Sequence, residues 1–233
     1  LCVKGRYGYS FVNHPDRLKS PLIKRNSSFE EISWDEALDI IAGKFSQYGK
    51  QQFAALTSTK ITNEDNYVIQ KFTRAVIETN NIDHCARLCH APTVSGLVQS
   101  FGSGAMTNSI DEFTSAKTIF SIDSNTTAAH TIIGLHIKEA KRKGARIIVT
   151  NPKEIDLCRF ADIFIQHYPG TDVVLLMSMM KVIVDEGLEN TTFIGQRCEG
   201  YHEFRDSLKD YDLDSESRIT GVNREKIIEA ARL

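Results

Sequence analysis

No surplus of basic residues marks this 233-residue chain: 28 Lys and Arg stand against 30 Asp and Glu, a formal net charge of −2. Nucleic-acid binding draws on a positive stripe that displaces counterions from phosphates, and nothing here provides one. Long hydrophobic runs are missing too. The most apolar stretch, VVLLMSMMKVIV at 173–184, is too short to cross a bilayer and contains Lys181, so no membrane span is expected. No signal peptide is visible. The first residue is Leu1 rather than Met, which reads as a piece of something longer. The five cysteines (Cys2, Cys85, Cys89, Cys158, Cys198) are an odd number, which argues against a disulfide framework and for a reducing, cytoplasmic setting. Cys158 and Cys198 stand singly and read as structural, since a free cysteine behaves as a small hydrophobe. Neither GxGxxG nor GxxxxGK[ST] occurs, which excludes an ordinary dinucleotide fingerprint and an ATPase-type phosphate loop.

What is present is the composition of a globular protein: 41% hydrophobic and 25% charged residues, enough chain for one to two domains with a real core. Residues 1–28, rich in Gly, Tyr, Pro and Lys, read as loop or a frayed remnant. Ser33 and Glu36 have capping-box spacing. Trp34, Leu38, Ile41 and Phe45 then recur on one helical face. FAALTS (53–58) reads as a buried strand and TKITN (59–63) as a turn, with Asn63 capping a helix whose Val68, Phe72, Ala75 and Val76 share a face. TIFSI (118–122), ARIIVT (145–150) and DIFIQ (162–166) read as further strands. The intervening helix spans 128–144 and ends at Gly144. Helix 172–186 is apolar nearly all round, which predicts burial on all sides. Helical segments at 201–209 and 223–232 follow, the last capped by Asn223. Strands alternating with helices predict an α/β fold with a parallel sheet covered on both faces.

In such sheets ligands bind beyond the carboxyl ends of the strands. The stretches there are TKITN, DSNTT (123–127), NPKE (151–154) and HYPGTD (167–172). Gly170 permits a tight turn, and Thr171 or Asp172 can cap the following helix, whose free amides suit a phosphate. An ionised Asp172 could instead accept from the N1–H and N2–H edge of a guanine. Four ordinary surface loops would carry the same pattern.

NNIDHCARLCHAPTVSG (80–96) sets Cys85 and Cys89 four apart, with His84 and His90 beside them. Three readings stand: a zinc site, although the histidines fall off the face the thiols share; a helix start with buried thiols; or a Cys89 thiolate as soft ligand to a redox metal beside an imidazole that titrates near neutral pH. The last pairing suits oxidation of a small anion that loses hydrogen from carbon.

NNIDHCARLCHAPTVSGL followed by GSGAMTNSIDEF (102–113) resembles the molybdopterin oxidoreductase family, and within it the cysteine-containing formate dehydrogenase catalytic subunits. LCVKGRYGYSFVNHPDRLKSPLIK at the start and STKITNEDNYVIQKFTRAV (58–76) extend the resemblance over essentially the whole chain. It implies part of that family's parallel-sheet αβα layers (domains I–III), roughly the first third of such a subunit. Residues 1–28 would be the remnant of a [4Fe–4S] domain, 29–84 a first α/β segment and 85–233 a second, dinucleotide-binding-like domain.

The same resemblance makes Cys89 a ligand to molybdenum or tungsten, His90 its proton-handling neighbour, and Cys2 the last of four cluster cysteines. Lys4 would lie on the electron path, and Lys60 and Cys85 against the cofactor. Asp123, Ser124, Asn125 and Thr126, then Asn151, Pro152 and Lys153, then Gly170, Thr171 and Asp172 would hold one guanine dinucleotide arm. Departures occur: Asp123 stands where relatives commonly have glycine, Thr126 and Thr131 where prolines are frequent, Asn151 and Lys153 where Asp and Arg are. The expectation is a Mo or W bis(molybdopterin guanine dinucleotide) centre and a [4Fe–4S] cluster, with formate oxidised to CO2. Electrons would pass to a partner subunit or acceptor protein in anaerobic respiration. A sister enzyme such as a nitrate reductase, or a non-catalytic nucleotide-binding module, are the alternatives.

Overall fold

The computed structural model describes residues 2–233. The chain forms two compact units, Lys4–Thr107 and Asn108–Leu233, residues 2 and 3 counting with the second.

The Lys4–Thr107 unit is built around short elements. Helix α1 (Val3–Tyr7) straddles its start, and strands β1 (Leu22–Arg25) and β2 (Ser28–Glu31) form an antiparallel hairpin. Its two turn residues, Asn26 and Ser27, both have positive φ, the backbone a two-residue hairpin turn demands. Among the described residues, 2–28 therefore include ordered secondary structure, and a boundary at 28 falls inside a paired strand. Helix α2 (Trp34–Phe45) starts where the sequence places it, with Ser33 Oγ accepting from the Glu36 N–H at 3.1 Å. Only half of the capping box forms, because the Glu36 carboxylate turns to Arg25 Nη2 at 3.2 Å.

Strand β3 (Ala55–Thr57) leads to helix α3 (Asn63–Ala75). The cap of α3 is Thr62 rather than Asn63: Thr62 Oγ1 accepts from the Asp65 N–H at 3.1 Å, and the Asp65 carboxylate answers the Thr62 N–H at 3.3 Å. Strand β4 (Ile82–His84) pairs with β3 in parallel, Ala55 opposite Ile82 and Thr57 opposite His84. Helices α4 (Ala86–Cys89) and α5 (Ala91–Phe101) follow. Phe45, Phe53 and Phe72 cluster with ring centroids 5.1–6.4 Å apart. The outer part of the α2 stripe is not buried: Trp34 and Leu38 are 67% and 58% exposed.

The second unit holds the larger core. Parallel strands β5 (Thr118–Ile122), β6 (Arg146–Thr150) and β7 (Ile163–Ile165) lie side by side in that order. The β5–β6 connection is α6 (Thr126–Ala129) and α7 (Thr131–Arg142), so the expected helix over 128–144 is interrupted at His130. Helices α8 (Asp172–Asp185), α9 (Thr191–Arg197), α10 (Tyr201–Ser207), α11 (Leu213–Thr220) and α12 (Arg224–Arg232) complete the chain. Asn223 caps α12 through the Glu225 N–H at 2.8 Å.

Side chains alternate across β6. Ile147 and Val149 join Ile119, Ile137 and Leu157 on one face; Ile148 joins Ile163, Ile165, Leu175 and Ile227 on the other. Each such burial contributes about 1.5–3 kcal/mol. The sheet is thus covered on both sides, as the strand–helix alternation predicts. Helix α8 is not buried all round: Leu175, Ser178, Met179 and Val182 face inward while Val173 is 64% exposed. Its apolar composition exceeds the one face that the sheet can cover.

Candidate functional site

The parallel register sets the first part of the site. Ile122 lies opposite Thr150, and Thr150 opposite Ile165, so the three strands end level. Asp123, Asn151 and His167 consequently emerge at one edge. Asp123 has φ of 51°, a left-handed conformation that Asp tolerates better than most side chains. Its N–H donates to the Thr150 carbonyl at 2.9 Å.

The His167 side chain is fully buried. Its Nδ1 lies 2.8 Å from Thr150 Oγ1, which fixes the ring. Its Nε2 points to the Asp123 carboxylate, 3.3 Å from Oδ1, yet misses hydrogen-bond geometry and remains without a hydrogen-bond partner. Asp172, at the start of α8, completes the group: one donor atom from each of Asp123, His167 and Asp172 lies within 4.8 Å of the others. Burial above all, together with the Asp172 charge, pushes the Asp123 carboxyl above its usual range, although His167 pulls it down.

The neighbouring loops are small and polar. Ser124 Oγ and Thr126 Oγ1 lie 2.9 Å apart, with Thr126 buried and Asn125 exposed. Asn151 is buried, and its Oδ1 accepts from the Lys153 N–H at 2.9 Å; the Pro152 carbonyl accepts from Gln166 Nε2. Gly170 has φ of 81°, and a Cβ there would meet nothing within 4 Å. Thr171 occupies the N-cap position of α8 but does not cap it; its hydroxyl donates back to the Tyr168 carbonyl at 2.7 Å. The sequence reading of this edge thus brings Asp123 and Asp172 together but misses His167 and Thr150. A histidine immediately after a β-branched strand was the available signal.

The cysteine stretch lies in the other unit, so it closes the Lys4–Thr107 body rather than opening the second one. Cys85 follows β4, its N–H donating to the Thr57 carbonyl at 3.3 Å. Its Sγ lies 3.5 Å from Thr59 Oγ1, which leads the hydrogen bonds from Thr59 and Ser58 and the Lys60 charge in holding the exposed thiol below the ordinary range. Lys60 and Cys85 are therefore neighbours. His84 Nδ1 accepts from the Ala86 N–H at 3.1 Å and so starts α4. Cys89 ends α4 and His90 joins it to α5, both exposed. The thiols are not buried, which removes the buried-helix reading. Among the described residues the only three-donor cluster is Asp123, His167 and Asp172, so a zinc site at Cys85 and Cys89 lacks its further ligands. Lys4 lies on α1, exposed, and Cys2 just before it is half-buried.

Comparison with known proteins bears on both regions. Residues 17–226 match the family model for molybdopterin oxidoreductases. Along its whole length the chain is 47% identical to F420-dependent formate dehydrogenase 1 subunit alpha of Methanococcus maripaludis and 42% identical to formate dehydrogenase H of Escherichia coli, covering 34% of each. It spans about a third of the length of these relatives. Among solved structures, acetylene hydratase from Pelobacter acetylenicus superposes with a TM-score of 0.64 at 26% identity, over 99% of this chain and 32% of that one. The chain belongs to the molybdopterin oxidoreductase family.

Proposed function

We propose that the protein is part of a formate dehydrogenase catalytic subunit, oxidising formate to CO2, a proton and two electrons. The observation that carries this reading is the exposed Cys89–His90 pair at the α4–α5 junction, in a chain whose relatives bear that name. Family membership implies a molybdenum or tungsten pterin cofactor, and we assign it the bis(molybdopterin guanine dinucleotide) form. Two observations support the fit. Cys89 offers an exposed soft donor suited to such a metal. The amides that open α8 have no side-chain cap and follow the open backbone at Gly170, as an anionic nucleotide arm requires.

The bound centre supplies the two-electron acceptor. Cys89 binds the metal, and His90 holds or moves the proton released as formate is oxidised. Lys60 and Cys85 line the cofactor, and the loops 123–126, 151–153 and 170–172 hold one guanine dinucleotide arm. Cys2 ligates a [4Fe–4S] cluster, with Lys4 beside it on the electron path. A partner subunit or acceptor protein takes the electrons, and the proposed location is the cytoplasm. The archaeal relative's name makes F420 the first acceptor to try.

The test is formate-dependent viologen reduction by the intact subunit purified without oxygen, with nitrate-dependent viologen oxidation beside it. Formate activity alone is the expected result. Nitrate activity alone would keep the family and replace the substrate. Inactivity in both, with metal and pterin absent, would leave a nucleotide-binding module.

A further inference from the structure

We propose, resting on the roles given to Cys89 and His90, that Asp83 and Arg87 are positioning residues that hold this pair in place for formate oxidation. Helix α4 cannot hold itself. It has four residues, a single turn, and closing a first turn costs more backbone freedom than one hydrogen bond returns. Packing does not make up the difference: no residue of α4 is buried, and Leu88 is 90% exposed. At its end the Cys89 N–H donates to the Cys85 carbonyl at 3.1 Å and the His90 N–H to the Ala86 carbonyl at 3.2 Å. Both bonds lie within the turn, so neither fixes the turn to anything stiffer.

Asp83 supplies that tie. It lies in β4, opposite Leu56 in the parallel pairing with β3. Its Oδ1 accepts from the His84 N–H at 2.8 Å, and its Oδ2 accepts from Arg87 Nε at 2.8 Å. One carboxylate thus joins the end of the strand to the middle of α4, two residues before Cys89. A charged donor makes this the stronger kind of hydrogen bond. The Asp83 and Arg87 side chains are 43% and 70% exposed, so the pair adds little to the stability of the whole chain. What it sets is the direction in which α4 leaves β4, and with it where the Cys89 thiol and the His90 imidazole stand. Misplacing a reacting group by about 1 Å can cost a factor of about 10² in rate.

The test uses the intact subunit, purified without oxygen, as parent, Asp83→Ala, Arg87→Ala, the double variant and Arg87→Lys. Residue-resolved hydrogen exchange reads the Cys89 and His90 amides, and steady-state kinetics with formate and viologen read the reaction. In each single alanine variant the two amides should exchange about tenfold faster, while the β6 amides keep the parent's protection and so report an intact fold. Turnover should fall about tenfold. KM for formate should stay within about twofold, because the loss is of placement and not of substrate binding. The double variant should be no slower than either single one, since both remove the same tie. Lysine keeps a charged donor within reach of Asp83, so Arg87→Lys should recover most of both losses. Parent-like exchange at Cys89 and His90 in the alanine variants would overturn the proposal. So would faster exchange with parent-like turnover, which would leave a surface ion pair with no part in the reaction. A parent subunit that does not oxidise formate would remove the formate reading instead, and the exchange data would still report whether Asp83 and Arg87 fix the turn.

Discussion

One Asp162 carboxylate oxygen accepts from both Lys141 Nζ and the Ile147 N–H, each at 2.7 Å, so a helix and the central strand are tied through a single atom. The Lys141 hydrogen bond first, then the Ile147 amide and the Lys141 and Arg146 charges, outweigh desolvation and hold this carboxyl below its usual range. A depressed carboxyl contributes stability that is present above its unfolded pKa of about 3.9 and lost as pH falls through the folded value. Asp162→Asn should cost about 1–3 kcal/mol at pH 7. It should also flatten the loss of stability on acidification below about pH 4. Urea midpoints at pH 7 and pH 3 for parent and variant check both.

Gly221 has φ of 70°, and a Cβ there would lie 2.6 Å from the Tyr168 ring. Gly187 has φ of 64° but open space around it. Both alanine variants incur about 1–2 kcal/mol of left-handed strain, and Gly221→Ala must displace the ring as well. Its melting temperature should fall further than that of Gly187→Ala. Equal shifts would mean that Tyr168 swings aside freely.

Leu175 is fully buried and Leu38 is 58% exposed. Leu175→Ala should cost about 2–5 kcal/mol. Leu38→Ala, measured on this chain, should stay within about 0.5 kcal/mol. The same pair of denaturation curves on the intact subunit reports whether the α2 stripe is covered there, because Leu38→Ala would then approach the buried value.

Thr59 is the largest contributor holding the Cys85 thiol down. Thr59→Val should slow iodoacetamide alkylation of Cys85 several-fold at neutral pH while leaving Cys198 unchanged, since the thiolate is the reactive form. Site-resolved mass spectrometry of timed reactions reads the difference.

In the intact subunit, Cys89→Ser should nearly abolish formate oxidation, and His90→Ala should lower turnover by about 10²–10⁴, the scale of an acid–base group. Parent-like rates in anaerobic viologen assays would remove these residues from the roles proposed for them.

The strands of the second unit were legible in the sequence because β-branched runs such as ARIIVT are bounded by turn residues and long enough to show their pattern. Their level ends, and with them the Asp123 edge, follow from register, which no single strand reveals. The hairpin at 22–31 is not legible in the sequence because its turn uses Asn26 and Ser27 instead of the Asn-Gly signal. Strand β4 shows no strand pattern in the sequence because Ile82 is its one apolar residue, beside Asp83 and His84. Asn63 and Thr62 are both capping residues, and only the placement of Asp65 three residues after Thr62 separates them. Cys89 and His90 stood out because of their pairing. His167 is a single residue in a loop whose Gly170 and Asp172 carry the stronger turn and capping signals.

The β3–β4 pairing has a consequence for how this region can change. Three aligned residue pairs locate Cys85, which is then anchored through its N–H on Thr57 and its sulfur beside Thr59. Between the two strands a change of length costs least in the link 76–81 after α3, because Thr59 holds the Cys85 sulfur and Phe72 of α3 packs in the aromatic cluster. A single codon gained or lost within 82–84 is different in kind. It would carry Cys85 off that anchor and turn alternate side chains to the opposite face, with α4 and the Cys89–His90 junction following. Insertions and deletions should therefore be excluded from 82–84, as from α3 and Ser58–Lys60, and be tolerated best in the link between α3 and β4.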